Sequence, residues 1–400
     1  MKLKNILLFS FAFVFSLLSG TEYFVSVKGS DQNNGLSEKT PFRTINKAAK
    51  KIVPGDTVTI LPGEYHEEVL LRFPGDPKRP TTFRAGISGT VHMRGDVPAP
   101  AFKAVPGIPG IYMCKVNKLP EYVLERDTVQ KYQKVPSLSE VETTPGSTFF
   151  DAENKIIYLH TSDSRAPENH SISFSMLRGD GLRFTGTSVK NVHVKGIIFS
   201  GYNSATSNGI YKSTFGGVYM RAPVNCSVKE CIVYLCGSGV TFNRFADSLI
   251  EECIFFANNT EFNGSGGNHL CYGPGKTTVQ RNVITFASAM AGQRFYGSPF
   301  DRCLIENCFS FDNKYGDIWI KYASDTAWVK GSYASSLIRS RLIENCIFTT
   351  GDTYYHGRAK NSICREREPR FDPRKEFADP DHLDFRLLKN SRFRKEQPSF

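Results

Sequence analysis

Five segments in the middle of the chain share a pattern: GVYMR from Gly217, GVTFN from Gly239, GNHLC from Gly267, GQRFY from Gly292, and DIWIK beginning one residue after Gly316. Val218 and Met220, Val240 and Phe242, and Ile318 and Ile320 are apolar, which suits a packed interior, and alternation along a strand sends their neighbours to the opposite face. Stacked in this register, the neighbours read Tyr219, Thr241, His269, Arg294 and Trp319 in one column and Arg221, Asn243, Cys271, Tyr296 and Lys321 in the next. Asp317 is the one carboxylate beside them. A wall merely exposed to water carries Ser, Thr, Lys and Glu without preference, whereas this one concentrates bases, cations and aromatic rings.

Such a set suits removal of a proton next to a carboxylate. Lys321 or His269 is the expected base, Arg294 and Arg221 hold the anion, and Tyr296 and Asp317 complete the reacting groups. Trp319, Tyr219 and Asn243 are expected to contact the ligand. A lysine base must fall from about 10.4 toward 7–8, which costs about 4 kcal/mol. Arg294, diagonal to Lys321, supplies about 2 kcal/mol of that at an effective dielectric of about 20; His269 needs no such shift. The competing chemistry is hydrolysis by two carboxyl groups, which asks Asp317 to find a partner in Glu261, Asp301 or Asp312. Each residue also has a structural alternative: His269 and Lys321 as hydrogen-bonding residues, Trp319 as a cover for a neighbouring loop. Cys271 is expected to be inert.

These residues need a scaffold that repeats. Six segments supply it: VKGIIF, VKECIV, IEECIF, VQRNVI, IENCFS and IENCIF, beginning at Val194, Val228, Ile250, Val279, Ile305 and Ile343 and so 22 to 38 residues apart. Self-similarity on this scale means a solenoid, and period-two alternation with Gly or Asn at the bends makes its units strands. The fold class expected is all-β, a right-handed parallel β-helix. Cys231, Cys253, Asn282, Cys308 and Cys346 fall in one inward column, and the thiols are read as packed and unbonded, because parallel side chains disfavour a disulfide between rungs. Glu252, Glu306 and Glu344 recur at one rung position and read as a solvated ladder.

The N-terminus has Lys2 and Lys4, an apolar run from Ile6 to Leu18, then Ser19 and Gly20. That run is shorter than the roughly 20 residues that span a bilayer, so residues 1–20 read as a signal peptide and the protein as exported and soluble. Residues 21–97 hold an amphipathic capping helix, with Thr44 as N-cap and Ile45, Ala48, Ala49 and Ile52 on one face, and the first rungs. Residues 98–176 read as a β-rich insertion with a hairpin turning at Ala152–Lys155, residues 177–363 as the main rungs, and 364–400 as a basic tail. The formal charge of +11 favours an acidic partner, which for an exported protein means an anionic polysaccharide rather than nucleic acid. No membrane partner is expected, and the chain reads as a monomer.

The opening YFVSVKGSDQNNGLSEKTPFRTINKAAKKIVPGDTVTILPGEYHEEV resembles the N-terminal segment of secreted β-helix proteins of the pectate-lyase-like superfamily, β-helix xylosidases in particular, and DPDHLDFRLLKNS is similar to their closing segment. The resemblance implies the fold and a polysaccharide lyase or glycoside hydrolase activity. It carries no catalytic residue over to a position of this chain. It also raises calcium as a cofactor, while the sequence offers no clustered carboxylates and predicts no metal. Elimination on an acidic polysaccharide is the reading preferred, hydrolysis on the same fold the alternative, and a non-catalytic glycan-binding β-helix the second alternative.

Overall fold

The computed structural model describes residues 20–203, 216–243, 248–258, 267–272, 275–288, 291–296, 300–311, 313, 316–321, 327–330, 333–334, 342–344, 347–349, 358–360, 363–365, 375, 377–379 and 384–390. Residues 1–19 of the proposed signal peptide, Glu261, Asp312 and Cys346 lie outside them. Three parallel sheets form the walls of a solenoid: sheet A with eleven strands, sheet B with ten and sheet C with seven. The chain visits them in the order A, B, C. In one coil Val192–Lys195 lies in A, Ile197–Ser200 in B and Gly216–Arg221 in C, and Cys226–Lys229 then returns to A beside its predecessor. Parallel strands joined by a crossover wind right-handed almost without exception.

The interior is apolar. Val194, Val228, Ile250 and Ile305 from sheet A, Phe199, Val233 and Phe255 from B, and Val218, Met220, Val240, Phe242 and Ile318 from C have no exposed surface. Between A and B the chain bends through one residue in the left-handed region: Gly196, Glu230, Glu252, Asn282 and Asn307, at φ 74°, 53°, 55°, 53° and 52°. Glycine and asparagine adopt this conformation readily, whereas the two glutamates are held there at a cost.

This turn corrects the expected thiol column. Asn282 is the turn residue, and the inward position belongs to Val283, whose carbonyl accepts from Phe309 N as that of Cys253 accepts from Ile284 N and that of Cys231 from Ile254 N. Cys231, Cys253 and Cys308 do share the column with Val283, all buried, and these three thiols, like those of Cys114, Cys226, Cys236 and Cys303, are free. The outer side of sheet A carries a charged ladder in which Lys229, Glu251, Arg281 and Glu306 occupy matched positions and pair. Glu252 belongs to the turn and not to this ladder.

Along the end of sheet B the rings of Tyr234, Phe256, Phe286 and Phe311 stack with centroids 5.0, 4.9 and 5.1 Å apart, and Phe377 lies 6.4 Å beyond. Phe377 is buried and opens an antiparallel pair, Phe377–Asp379 with Asp384–Leu387, while Ile363–Arg365 is a strand of sheet B. The segment expected to be a basic tail thus contributes paired strands and a core ring.

At the other end, the helix Ile45–Ala49 is capped by Thr44 and packs Ile45 and Ala48 into the core. The carboxylate of Glu67 accepts from Ile45 N and Asn46 N at 2.9 and 3.0 Å, satisfying donors that a helix start leaves open. Between the sheet B strand Val91–Arg94 and the sheet C strand Leu182–Thr185 the chain builds a separate β unit. One of its sheets contains Asp96–Pro98, Tyr122–Glu125, Gln130–Lys131 and Ile172–Ser175. The other contains the Ser147–Asp151 and Ile156–His160 hairpin, which turns where the pattern predicts. Val123, Tyr132, Ile157, Leu159 and Phe174 form its core, and Tyr122 and Leu124 pack on Tyr234 and Phe256 of sheet B.

Candidate functional site

Strand pairing in sheet C fixes two columns. One runs Leu70, Arg183, Tyr219, Thr241, Leu270, Arg294 and Trp319; the other runs Arg72, Thr185, Arg221, Asn243, Tyr272, Tyr296 and Lys321. Arg294 pairs with Trp319 and Tyr296 with Lys321, as the repeat predicts. His269 and Cys271 are displaced. Leu270 pairs with Thr241 and Tyr272 with Asn243, so His269 takes the register of buried Val240 and Cys271 that of buried Phe242. The expected alignment starts from Gly267, whereas Asn268 is the residue in register with Gly239, and a one-residue slip exchanges the two faces of a strand.

The corrected columns contain Arg72, Arg183, Arg221, Arg294 and Lys321, the aromatic residues Tyr219, Tyr272, Tyr296 and Trp319, and no Asp or Glu. Leu70, Arg72 and Arg221 are exposed, while Tyr219 and Asn243 are half-buried. Arg183 holds the Asp180 carboxylate at 2.6 Å and sits over the ring of Tyr219, 4.0 Å from its centroid. Asp180 also accepts from Gly216 N at 2.8 Å. Burial pushes the Asp180 carboxyl up to about 6 despite the guanidinium beside it. Asp317, expected among the reacting groups, has no exposed surface. Its carboxylate accepts from the backbone and side-chain nitrogens of Asn313 at 3.2 and 2.7 Å, which makes it a brace for the B-to-C turn.

A second polar cluster lies where the inserted unit meets sheet B. Buried Asp96 accepts from Arg94 at 2.7 Å and from Arg126 at 3.0 Å, and Arg126 continues to Ser200 Oγ at 3.2 Å and to the Tyr234 hydroxyl at 2.8 Å. His92 Nε2 lies 2.9 Å from Ser200 Oγ, and its Nδ1 lies 4.0 Å from Glu64. This has the order of a nucleophile, base and acid, but Ser200 has no exposed surface and already meets Arg126, so the group is a structural tie. Burial, then the two guanidinium groups, hold His92 down at about 4 and hence neutral. Sequence reasoning misses this cluster because the rung repeat places Ser200 and Tyr234 but not Asp96 and Arg126 of the inserted unit, and bonded partners stand up to 108 residues apart.

Residues 27–76 match the family described as "Protein of unknown function (DUF1565)". Over 78 residues the chain is 42% identical to the uncharacterized protein YwoF of Bacillus subtilis (strain 168), a match spanning 20% of this chain and 16% of that protein. Likeness in shape extends further. The complex of XylC with xylose aligns at a TM-score of 0.57 and 13% identity, covering 84% of this chain and 70% of that one. The pectate lyase Pel9A aligns at 0.50 and 12%, covering 94% and 90%, and a structure described as a glycoside hydrolase at 0.51 and 10%, covering 94% and 100%. The fold is the right-handed parallel β-helix that these structures share. At these identities the likeness is one of fold, and this β-helix must be read for function from its own residues.

Calcium was raised by that resemblance. Among the described residues, Glu125, Asp127 and His170 of the inserted unit bring ligand atoms within 4.8 Å of one another. Calcium takes about 6–8 oxygens, and this set does not provide them. Glu125 already accepts from Thr128, from Ser162 N and Oγ, and from the Tyr132 hydroxyl, which occupies its lone pairs. His170 instead joins two carboxylates, with Nδ1 3.0 Å from Asp127 and Nε2 3.0 Å from Asp163.

Proposed function

We propose that the chain is an exported carbohydrate-active enzyme that lays an acidic polysaccharide along the two columns of sheet C and cleaves it by β-elimination. The observation that carries this reading is the content of those columns: five cations and four aromatic residues, with no carboxylate. Arginines hold uronate carboxylates through paired N–H donors, and aromatic rings cover the apolar faces of sugars. Hydrolysis requires two carboxyl groups across the scissile bond, about 5–9.5 Å apart, and these columns supply none. Structures of the same fold that include a pectate lyase and a glycoside hydrolase support carbohydrate as the substrate class.

In the reaction proposed, neutral Lys321 takes the proton next to the uronate carboxylate. The C–H electrons form the new carbon–carbon double bond, the bond to the leaving sugar oxygen breaks, and Tyr296 gives that oxygen a proton. Arg294 and Arg221 hold the carboxylate while negative charge develops. Lys321 and Tyr296 share a pair position, so the proton gained by one can restore the other through solvent.

Hydrolysis keeps one supporting observation, the Asp180 carboxyl raised to about 6 beside the face. The two readings part on product chemistry. Incubation with uronate-bearing, sulfated and neutral polysaccharides should yield ultraviolet-absorbing unsaturated ends from the uronate polymers alone. New reducing ends without unsaturation would overturn elimination.

A further inference from the structure

The outer side of sheet A is built on a different electrostatic plan from sheet C. A groove of about 570 Å³ runs across its strands, floored by Ser227, Leu249 and Val279 and flanked by His193, Asn225 and Thr277. Thr82, His193, Ser227, Leu249 and Val279 are successive partners in five neighbouring strands, so the floor extends on the order of 20 Å along the solenoid axis. That is the shape of a trough for an extended chain, and the volume is that of a ligand site.

Every cation at its rim is matched. Lys195 pairs with Glu230 at 2.9 Å and Lys229 with Glu251 at 2.7 Å, while Arg281 joins Glu251 at 3.2 Å and Glu306 at 2.8 Å. Three cations meet three carboxylates, so the rim has no net charge. On sheet C, by contrast, no carboxylate of the described residues pairs with Arg72 or Arg221.

The polar groups of the trough are also fixed in role. Asn225 Nδ2 donates to Asn191 Oδ1 at 3.0 Å, which identifies that atom as the oxygen. His193 Nε2, 3.0 Å from the same oxygen, therefore carries the ring proton, and Nδ1 accepts from Ser227 Oγ at 2.8 Å. Burial, with Lys229 nearby, lowers the His193 pKa and keeps the ring neutral. Ser227 Oγ and Asn225 Oδ1 keep acceptor capacity toward the trough beside the apolar Leu249 and Val279. A neutral surface that alternates apolar floor with hydroxyl and amide groups complements the alternating C–H and O–H faces of an uncharged sugar.

We infer that this trough on sheet A is a binding site for a neutral oligosaccharide chain, separate from the reaction face. It does not depend on which reaction sheet C performs.

The test is calorimetric titration of the full chain with xylohexaose, cellohexaose and a hexamer of galacturonate. At least one neutral hexamer should bind with a Kd of about 1 mM or tighter. Leu249→Glu, which places a charge on the floor, should weaken that binding at least about tenfold, and Asn225→Ala, a change at an exposed residue, at least about threefold. Lys321→Ala should leave it unchanged while altering turnover on uronate polymers. If Leu249→Glu unfolds, Asn225→Ala alone decides. Absence of binding by both neutral hexamers, or binding that neither trough variant weakens, overturns the proposal; loss on Lys321→Ala places the sugar on sheet C and overturns it too.

Discussion

Arg126 of the inserted unit reaches the hydroxyl of Tyr234 in the solenoid wall at 2.8 Å. The same guanidinium holds Asp96 within the inserted unit, so an arginine fixed by a buried ion pair on its own side ties that unit to sheet B through charge-assisted hydrogen bonds to Tyr234 and Ser200. Arg126→Met leaves Asp96 with Arg94 alone and should cost about 2–4 kcal/mol. Urea denaturation measures this, and limited proteolysis should open the inserted unit first. A variant as stable as the parent would remove Arg126 from this role.

Lys321→Ala should lower turnover by about 10²–10⁴-fold, the span of a lost general base. His269→Ala, at a position in register with buried Val240 and Gln293, should leave turnover within a few-fold and instead lower the melting temperature. Initial rates followed by ultraviolet absorbance of the unsaturated product, with melting curves in parallel, separate the two. The reverse pattern would return His269 to the reaction.

The rung architecture is legible because IEECIF and IENCFS place apolar residues at the positions that face inward, so each coil restates inside and outside. One coil breaks the rule. Its inward positions on sheet A are Thr278 and Gln280, both buried, while half-buried Val279 takes the outer register of Leu249. Matching by apolarity therefore slides that coil by one residue and puts Asn282 where Val283 belongs, while His269 for Leu270 arises on the sheet C strand just before it, where alignment from Gly267 slips the register by one. Asp317 fails differently: its position in a strand-leading turn is readable, but the Asn313 amide that engages it is not. Contacts such as Arg126 to Tyr234 cross between units and leave no periodic trace.

Stability should respond to pH through His170. Burial alone would lower its pKa, but the hydrogen bonds to Asp127 and Asp163 outweigh it and the net shift is upward. A histidine raised above its unfolded value of about 6.5 binds its proton more tightly when folded. Its contribution is complete below that value and is lost as pH rises through the folded pKa. The urea midpoint should therefore be higher at pH 6 than at pH 9, and His170→Gln should shrink that difference. An unchanged difference in the variant would assign the effect elsewhere.

Asp180 should titrate near 6, and Arg183→Leu should raise that value, because the guanidinium lowers it against burial. Carbon-13 chemical shifts of labelled aspartate report both. A downward shift in the variant would contradict the pairing.

The thiols should be silent. Burial pushes Cys226 up to about 11 and Cys236 and Cys308 to about 12, so iodoacetamide at pH 8 should leave these three unmodified in the native protein. Mass spectrometry of the peptides checks this, and labelling at native-state rates comparable to free cysteine would show access to solvent.

A linear array held together by nearest neighbours tends to fray from its ends. The ring stack from Tyr234 to Phe377 counters this, because its last member comes from the closing hairpin and presses on the wall that the earlier coils built. Loss of that one ring by a chain ending before residue 377 should turn a single unfolding transition into a stepwise unzipping from the C-terminal end.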